Sequence, residues 1–166
     1  IKQDGRRTVH RAEVGGLDVS VKARPLAFHR FRIRSTDFAR AVRAARIIER
    51  SHDVHTPPVL FHGAVDDLEI LIHPWCTGPT LLEHLSTTNT DERQTWLRLG
   101  ASLVAMMLYR RIVNRDLKPS NIIATDKQEA SMTMIDVGGA RRFEPLRGDR
   151  WPIWAARMLT TLVFEP

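Results

Sequence analysis

At 166 residues and 43% hydrophobic, the chain is long enough to bury a core, and its length fits one domain or two small lobes. Its single cysteine, Cys76, excludes an internal disulfide and with it a secreted, disulfide-stapled scaffold. No apolar run approaches the roughly 18 residues of a membrane span, and the formal net charge of +6 implies attraction to something acidic without selecting nucleic acid, membrane surface or phosphorylated substrate.

Residues 8–14 and 17–22 alternate in polarity around Gly15-Gly16, which predicts a β-hairpin because paired glycines supply the positive φ angles of its turn; Pro25 ends the second strand. A helix is expected over 36–50, capped by Ser35, Thr36 or Asp37. Phe38, Ala41, Val42, Ala45 and Ile48 form its apolar stripe, and Arg40, Arg43, Arg46 and Arg50 its basic side. After Pro57-Pro58, strands are expected over 59–62 and 68–72, separated by Gly63 and an Asp66-Asp67 turn. Residues 74–79 read as a linker. Helical periodicity then dominates, briefly at 81–85 and again over 91–111, where Trp96, Leu99, Leu103, Met106 or Met107 and Arg110 trace one face. A polar loop and a short strand pair follow, and residues 151–159 predict a helix packed beneath that loop.

The chemistry concentrates in residues 112–138. Asn114-Arg115-Asp116-Leu117-Lys118-Pro119-Ser120-Asn121 places Asp116 and Asn121 five apart on a tight loop, since Pro119 disfavours a helical Lys118. Asp136-Val137-Gly138 follows an apolar, β-favouring run, and Val19-Ser20-Val21-Lys22 ends a strand on a lysine. These segments resemble the catalytic loop, the metal-binding turn and the lysine strand of the protein-kinase-like superfamily.

That resemblance implies an α+β, two-lobed fold: a small antiparallel-sheet amino lobe with one helix (1–73), a linker (74–79) and a reduced helical carboxyl lobe (80–166). It implies ATP and Mg2+ as cofactors. Asp116 would handle the acceptor hydroxyl proton, Lys118 would offset charge on the moving phosphoryl group, Asn121 and Asp136 would hold the metal, and Lys22 would reach the α- and β-phosphates. Trp75 would form a flat wall against the base.

The chain departs from the pattern in four places. Asn114 stands where a histidine is most common, and as an asparagine it can still donate a hydrogen bond to backbone. Val137 replaces a phenylalanine. No glycine-rich loop is present; Gly5 followed by Arg6-Arg7-Thr8 occupies its place, with arginines and a hydroxyl standing in for backbone amides. Residues 41–45 contain no acid to partner Lys22, so Glu49, on the stripe of Phe38, Val42 and Ala45, is either that partner or half of a surface pair. A partner is wanted because an unpaired buried lysine tends to neutrality.

Within the superfamily, the 56–58 entry, the glycine-loop substitute and the Asp-Val-Gly turn are most similar to bacterial lipopolysaccharide core kinases acting on Kdo or heptose. This implies transfer of the ATP γ-phosphoryl group to a sugar of an anionic glycolipid at the cytoplasmic face of the inner membrane, with Arg141, Arg142, Arg147 and Arg150 as contacts. A small Ser/Thr protein kinase, suggested by Lys118-Pro119, and an inactive nucleotide-binding or interaction module are the alternatives. The histidines show no metal-ligand spacing, and without a recognised binding motif no specific nucleic acid is expected.

Overall fold

The computed structural model describes residues 2–4, 7–26, 36–87, 89–125, 132–143 and 151–163. Gly5, Arg6, Ser35, Arg147 and Arg150 lie outside them. The fold is α+β. Strands β1 (Lys2–Asp4), β2 (Arg7–Val14), β3 (Leu17–Pro25), β4 (Phe61–Val65) and β5 (Leu68–Pro74) form one antiparallel sheet in the order β1-β2-β3-β5-β4. Helix α1 (Asp37–Glu49) lies between β3 and β4 in sequence. Helices α2 (Leu81–Thr87) and α3 (Thr90–Tyr109) follow the sheet, and then come β6 (Ile112–Asn114), a 3-10 turn at Pro119–Asn121, β7 (Ile122–Ala124), β8 (Met132–Met134), β9 (Ala140–Arg142) and α4 (Trp151–Val163).

The hairpin forms as expected, with Gly15 at φ 59° and Gly16 at φ 80° making the turn between β2 and β3. The fourth strand runs later than the sequence suggests. Pro57 and Pro58 keep the preceding segment out of the ladder, and pairing begins at Phe61, opposite Ile72. Gly63, expected as a break, is a strand residue over which the Phe61 ring lies; a Cβ there would stand 2.9 Å from that ring. Strand β1 carries no apolar alternation and was not expected.

Helix α1 joins two cores. Phe38 and Val42 in its first half pack against Leu71 of the sheet, whereas Ala44, Ala45 and Ile48 in its second half enter the main core with α3, β6 and α4. Its N-cap is Thr36, whose Oγ1 accepts from the backbone N–H of Ala39 at 3.0 Å and donates to Glu69 at 2.5 Å. Thr36→Ala loses both bonds, and a cost of about 1–2 kcal/mol in urea unfolding is expected.

The inward line of α3 runs through Trp96, Gly100, Leu103, Val104 and Met107, leaving Leu99 and Met106 on its flank. Gly100 shifts the line because a Cβ there would come within 3.1 Å of Leu162 and 3.3 Å of Leu81, so its absence lets α2 and α4 approach. Arg110, expected on the same face, pairs instead with Asp53 at the surface. Among the described residues no helix is long and apolar enough to cross a membrane.

Candidate active site

Two short strand pairs bring the polar loop and the Asp136 turn together. β6 pairs with β9, setting Asn114 opposite Ala140, and β7 pairs with β8, setting Ile122 opposite Met134. The loop leaves β6 and enters β7, while the turn leaves β8 and enters β9. Each is therefore clamped at both ends. The Ile135 N–H donates to the Asn121 carbonyl at 2.9 Å, which puts Asp136 beside Asn121. Leu117 and Val137 are 1% and 4% exposed and root loop and turn in the main core.

Inside the loop, Asn114 is 1% exposed and its Oδ1 accepts from the Asp116 N–H at 3.1 Å. It thus holds the loop as an acceptor, not as the donor expected from sequence. The Asp116 carbonyl in turn accepts from the Lys118 N–H at 3.0 Å and from Asn121 Nδ2 at 3.2 Å. With Nδ2 so engaged, Oδ1 is the part of the Asn121 amide left for a ligand. The Asp136 side chain is exposed and its Oδ1 lies 3.4 Å from the Gly138 N–H. Hard divalent cations take such oxygen donors, a carboxylate and an amide, and complete their shell with water and phosphate. The pair fits Mg2+.

These groups face a cleft made of two adjoining cavities. The smaller, about 320 Å³, is lined by Arg7, Lys22, Asp37, Ala41, Asp116 and Asp136 among others. The larger, about 560 Å³, reaches Ser20, His73, Trp75, Cys76, Asn121 and Ile123. Lys22, Asp136 and Val9 line both, so the lysine and the turn carboxylate stand where the two meet. Lys22 forms no ion pair with any described residue. Trp75 lines the larger cavity with the Arg11 guanidinium 5.5 Å from its ring centroid. Burial pushes the Cys76 thiol up, away from the thiolate. Lys118 is half-buried in the loop and lines neither cavity.

Glu49 is not brought to Lys22. It is exposed at the carboxyl end of α1 and lines neither cavity. Of the two alternatives for Glu49, a partner of Lys22 or a surface residue, its exposed position fits the second. The cleft takes Asp37, Phe38, Arg40 and Ala41 from the first turns, and Glu49 lies eight residues, about 12 Å, further along the axis. Ala41 faces the turn, within 4.0 Å of where a Gly138 Cβ would be. The nearest acid on the helix is Asp37, already paired with Arg7 and Arg40.

Two residues carry a structural weight beyond what the sequence assigns: Glu69 is given no role there, and His73 only a place at the start of the linker that would hold the adenine. Glu69 and His73 sit on β5 at inward positions of an alternating strand, 0% and 7% exposed. A charged or polar residue on the buried side of a period-2 pattern is the signal that marks them.

No family model matches the chain. It is 30% identical over 138 residues to calcium/calmodulin-dependent serine/threonine-protein kinase 1 of Oryza sativa subsp. japonica, covering 79% of this chain and 22% of the rice protein. It is 30% identical over 131 residues to CDPK-related kinase 7 of Arabidopsis thaliana, covering 74% of this chain and 22% of the relative. The chain is thus similar to protein kinases over most of its length. It spans about a fifth of the length of these curated relatives. The segments whose sequence resembles those of protein kinases, strand β3, the loop between β6 and β7 and the turn between β8 and β9, all open onto the same cleft.

Proposed function

We propose that the chain transfers the γ-phosphoryl group of ATP to a hydroxyl acceptor, with 1–73 as a nucleotide-covering lobe, 74–79 as linker and 80–166 as the catalytic lobe. The observation that carries this is the convergence of Lys22, Asp116 and Asp136, from three separate segments, on the smaller cavity. In this reading the acceptor oxygen attacks the γ-phosphorus as the bond to the β–γ bridging oxygen breaks, and ADP leaves with that oxygen. Asp116 orients the hydroxyl and takes its proton. Lys22 draws the α- and β-phosphates and Trp75 bounds the base; Lys118, which lines neither cavity, would offset charge on the transferred group only from behind Asp116 in the same loop. Asn121 and Asp136 would hold Mg2+, which when bound neutralises charge on the phosphates.

A serine or threonine hydroxyl is the acceptor supported by the similarity to the rice serine/threonine-protein kinase. A lipopolysaccharide core sugar is the second reading. It is favoured by Arg141 and Arg142, exposed on β9 next to the loop, where an anionic glycolipid would be attracted. ATP as donor fits a cytoplasmic site, and the glycolipid acceptor would add contact with the inner face of the membrane.

Labelled-ATP transfer to a generic protein, to deacylated core glycolipid and with no acceptor separates these readings. Mg2+-dependent incorporation is expected in one acceptor arm, with a loss of about 10²-fold or more in Asp136→Ala. Incorporation indifferent to Asp136→Ala would sink the assignment. Nucleotide binding without transfer in any arm would leave an inactive nucleotide-binding module.

A further inference from the structure

The larger cavity holds a buried imidazole to which the transfer chemistry assigns nothing. His73 ends the inward series Glu69, Leu71, His73 on β5 and is 7% exposed. Its Nδ1 lies 3.2 Å from the Pro58 carbonyl oxygen. A carbonyl only accepts, so Nδ1 carries the proton, and in the neutral ring Nε2 is a bare acceptor. Burial, and after it the charge of Lys22, hold the imidazole below its ordinary pKa and so favour that neutral ring. The Pro57 carbonyl also stands against the ring. Beyond these two carbonyls the imidazole bonds to no described residue, and Nε2 is not a buried orphan, since among the described residues Trp96 Nε1 is the buried side-chain nitrogen or oxygen left without a partner. His73 Nε2 is therefore reached from the cavity that His73 lines.

We propose that His73 is the residue that selects the base, accepting a hydrogen bond from the 6-amino group of adenine and rejecting 6-oxo purines. The 6-amino group brings hydrogens to the Nε2 lone pair. A 6-oxo group brings a second lone pair and would need a donor instead. The adjoining linker offers none at its first two positions: Pro74 has no N–H, and the Trp75 N–H is spent on the Asp18 carbonyl at 2.8 Å. The inference rests on the reading of this cleft as a nucleotide site.

Competition of ATP and ITP against a fluorescent ATP analogue, on the whole chain with Mg2+, tests it without turnover. ITP differs from ATP at the 6-position and in the proton on the adjoining N1, and lacks the 2-amino group that would confuse a GTP comparison. The N1 difference is common to wild type and variant, so the change in ratio on His73→Leu reads the 6-position. ATP is expected to bind at least about tenfold more tightly than ITP, and His73→Leu to bring the two within about threefold. In the wild-type chain, ATP dimethylated on its 6-amino group is expected to bind at least about tenfold more weakly than ATP, a comparison that does not depend on the variant folding. An ATP/ITP ratio unchanged in folded His73→Leu, or a dimethylated ATP that binds as well as ATP, overturns the role of His73 alone. A folded chain that binds no purine nucleotide overturns the nucleotide site and this inference together.

Discussion

Replacing Gly139 by alanine is expected to reduce phosphoryl transfer about as severely as removing the Asp116 carboxylate. Asp116→Ala deletes the proposed base, a contribution of about 10²- to 10⁴-fold in rate. Gly139 lies behind that base. A Cβ at this position would stand 2.6 Å from Asp116 Oδ2 and 2.7 Å from Asn114 Oδ1. Neither atom can easily yield. The Asp116 side chain is short, and Asn114 is buried with its Oδ1 holding the Asp116 N–H. Alanine must therefore push the carboxylate out of position or break the loop's internal bond, and a misplacement of about 1 Å costs about 10²-fold. Nucleotide affinity should move little, because Lys22, Trp75 and Asn121 are untouched. Single-turnover transfer with labelled ATP, read beside nucleotide binding, separates the two effects. A Gly139→Ala chain within about threefold of the wild-type rate would show that the Asp116 carboxylate does not need this position.

Gly139 also shows which parts of the site the sequence made legible. Asp116, Asn121 and Asp136 stood out by the resemblance of their segments to a kinase loop and turn, and the local shape of those segments was legible too: Pro119 keeps Lys118 out of a helix, and a β-favouring run precedes Asp136. Contacts between segments were not. Nothing local in Asp136-Val137-Gly138-Gly139 says that the second glycine abuts a carboxylate twenty-three residues earlier, a proximity created by the pairing of β6 with β9. Helix α1 gives the same lesson. Its cap and apolar face followed from periodicity, and both formed. Which end of it meets the cleft depends on how the helix divides itself between the sheet and the main core, and sequence periodicity repeats identically at both ends. Glu49 shares the sequence stripe of Phe38 but not its end of the helix, and the cleft is lined from that end.

That division leaves α1 without a carboxylate at Ala41 to tie it to Lys22, and Glu69 supplies a different tie. Its Oε2 accepts from Arg24 Nε of β3 at 2.6 Å, and its Oε1 accepts from Thr36 Oγ1 at the α1 cap, 2.5 Å, and from His62 Nε2 of β4, 2.8 Å. Arg24 also stands over the Phe38 ring, 5.3 Å from its centroid, and 3.9 Å from Asp37. One carboxylate thus joins three strands to the start of the helix whose first turns line the cleft.

Glu69→Ala is expected to destabilise the fold by about 3 kcal/mol, the low end of what removing one partner of a buried pair costs. The low end applies because the Arg24 side chain keeps 22% exposure and can recover some water. Urea unfolding measures it, and a loss under about 1 kcal/mol would reduce the pair to an ordinary surface contact. The pH dependence carries a definite sign. Burial alone would raise the Glu69 carboxyl, but the hydrogen bonds from Thr36, His62 and Arg24 outweigh it and hold the group below its ordinary value. A depressed folded value means that the unfolded chain binds the proton first. The stability gap between wild type and Glu69→Ala should therefore be full above the unfolded glutamate value of about 4.3 and shrink as pH falls through the lower folded value. Because the tie ends on Thr36, the variant should also weaken nucleotide binding at pH 7 while the chain remains folded, as the first turns of α1 lose their anchor beside Lys22. Stability lost with nucleotide affinity intact would mean that Arg24 and Phe38 alone suffice to seat the helix.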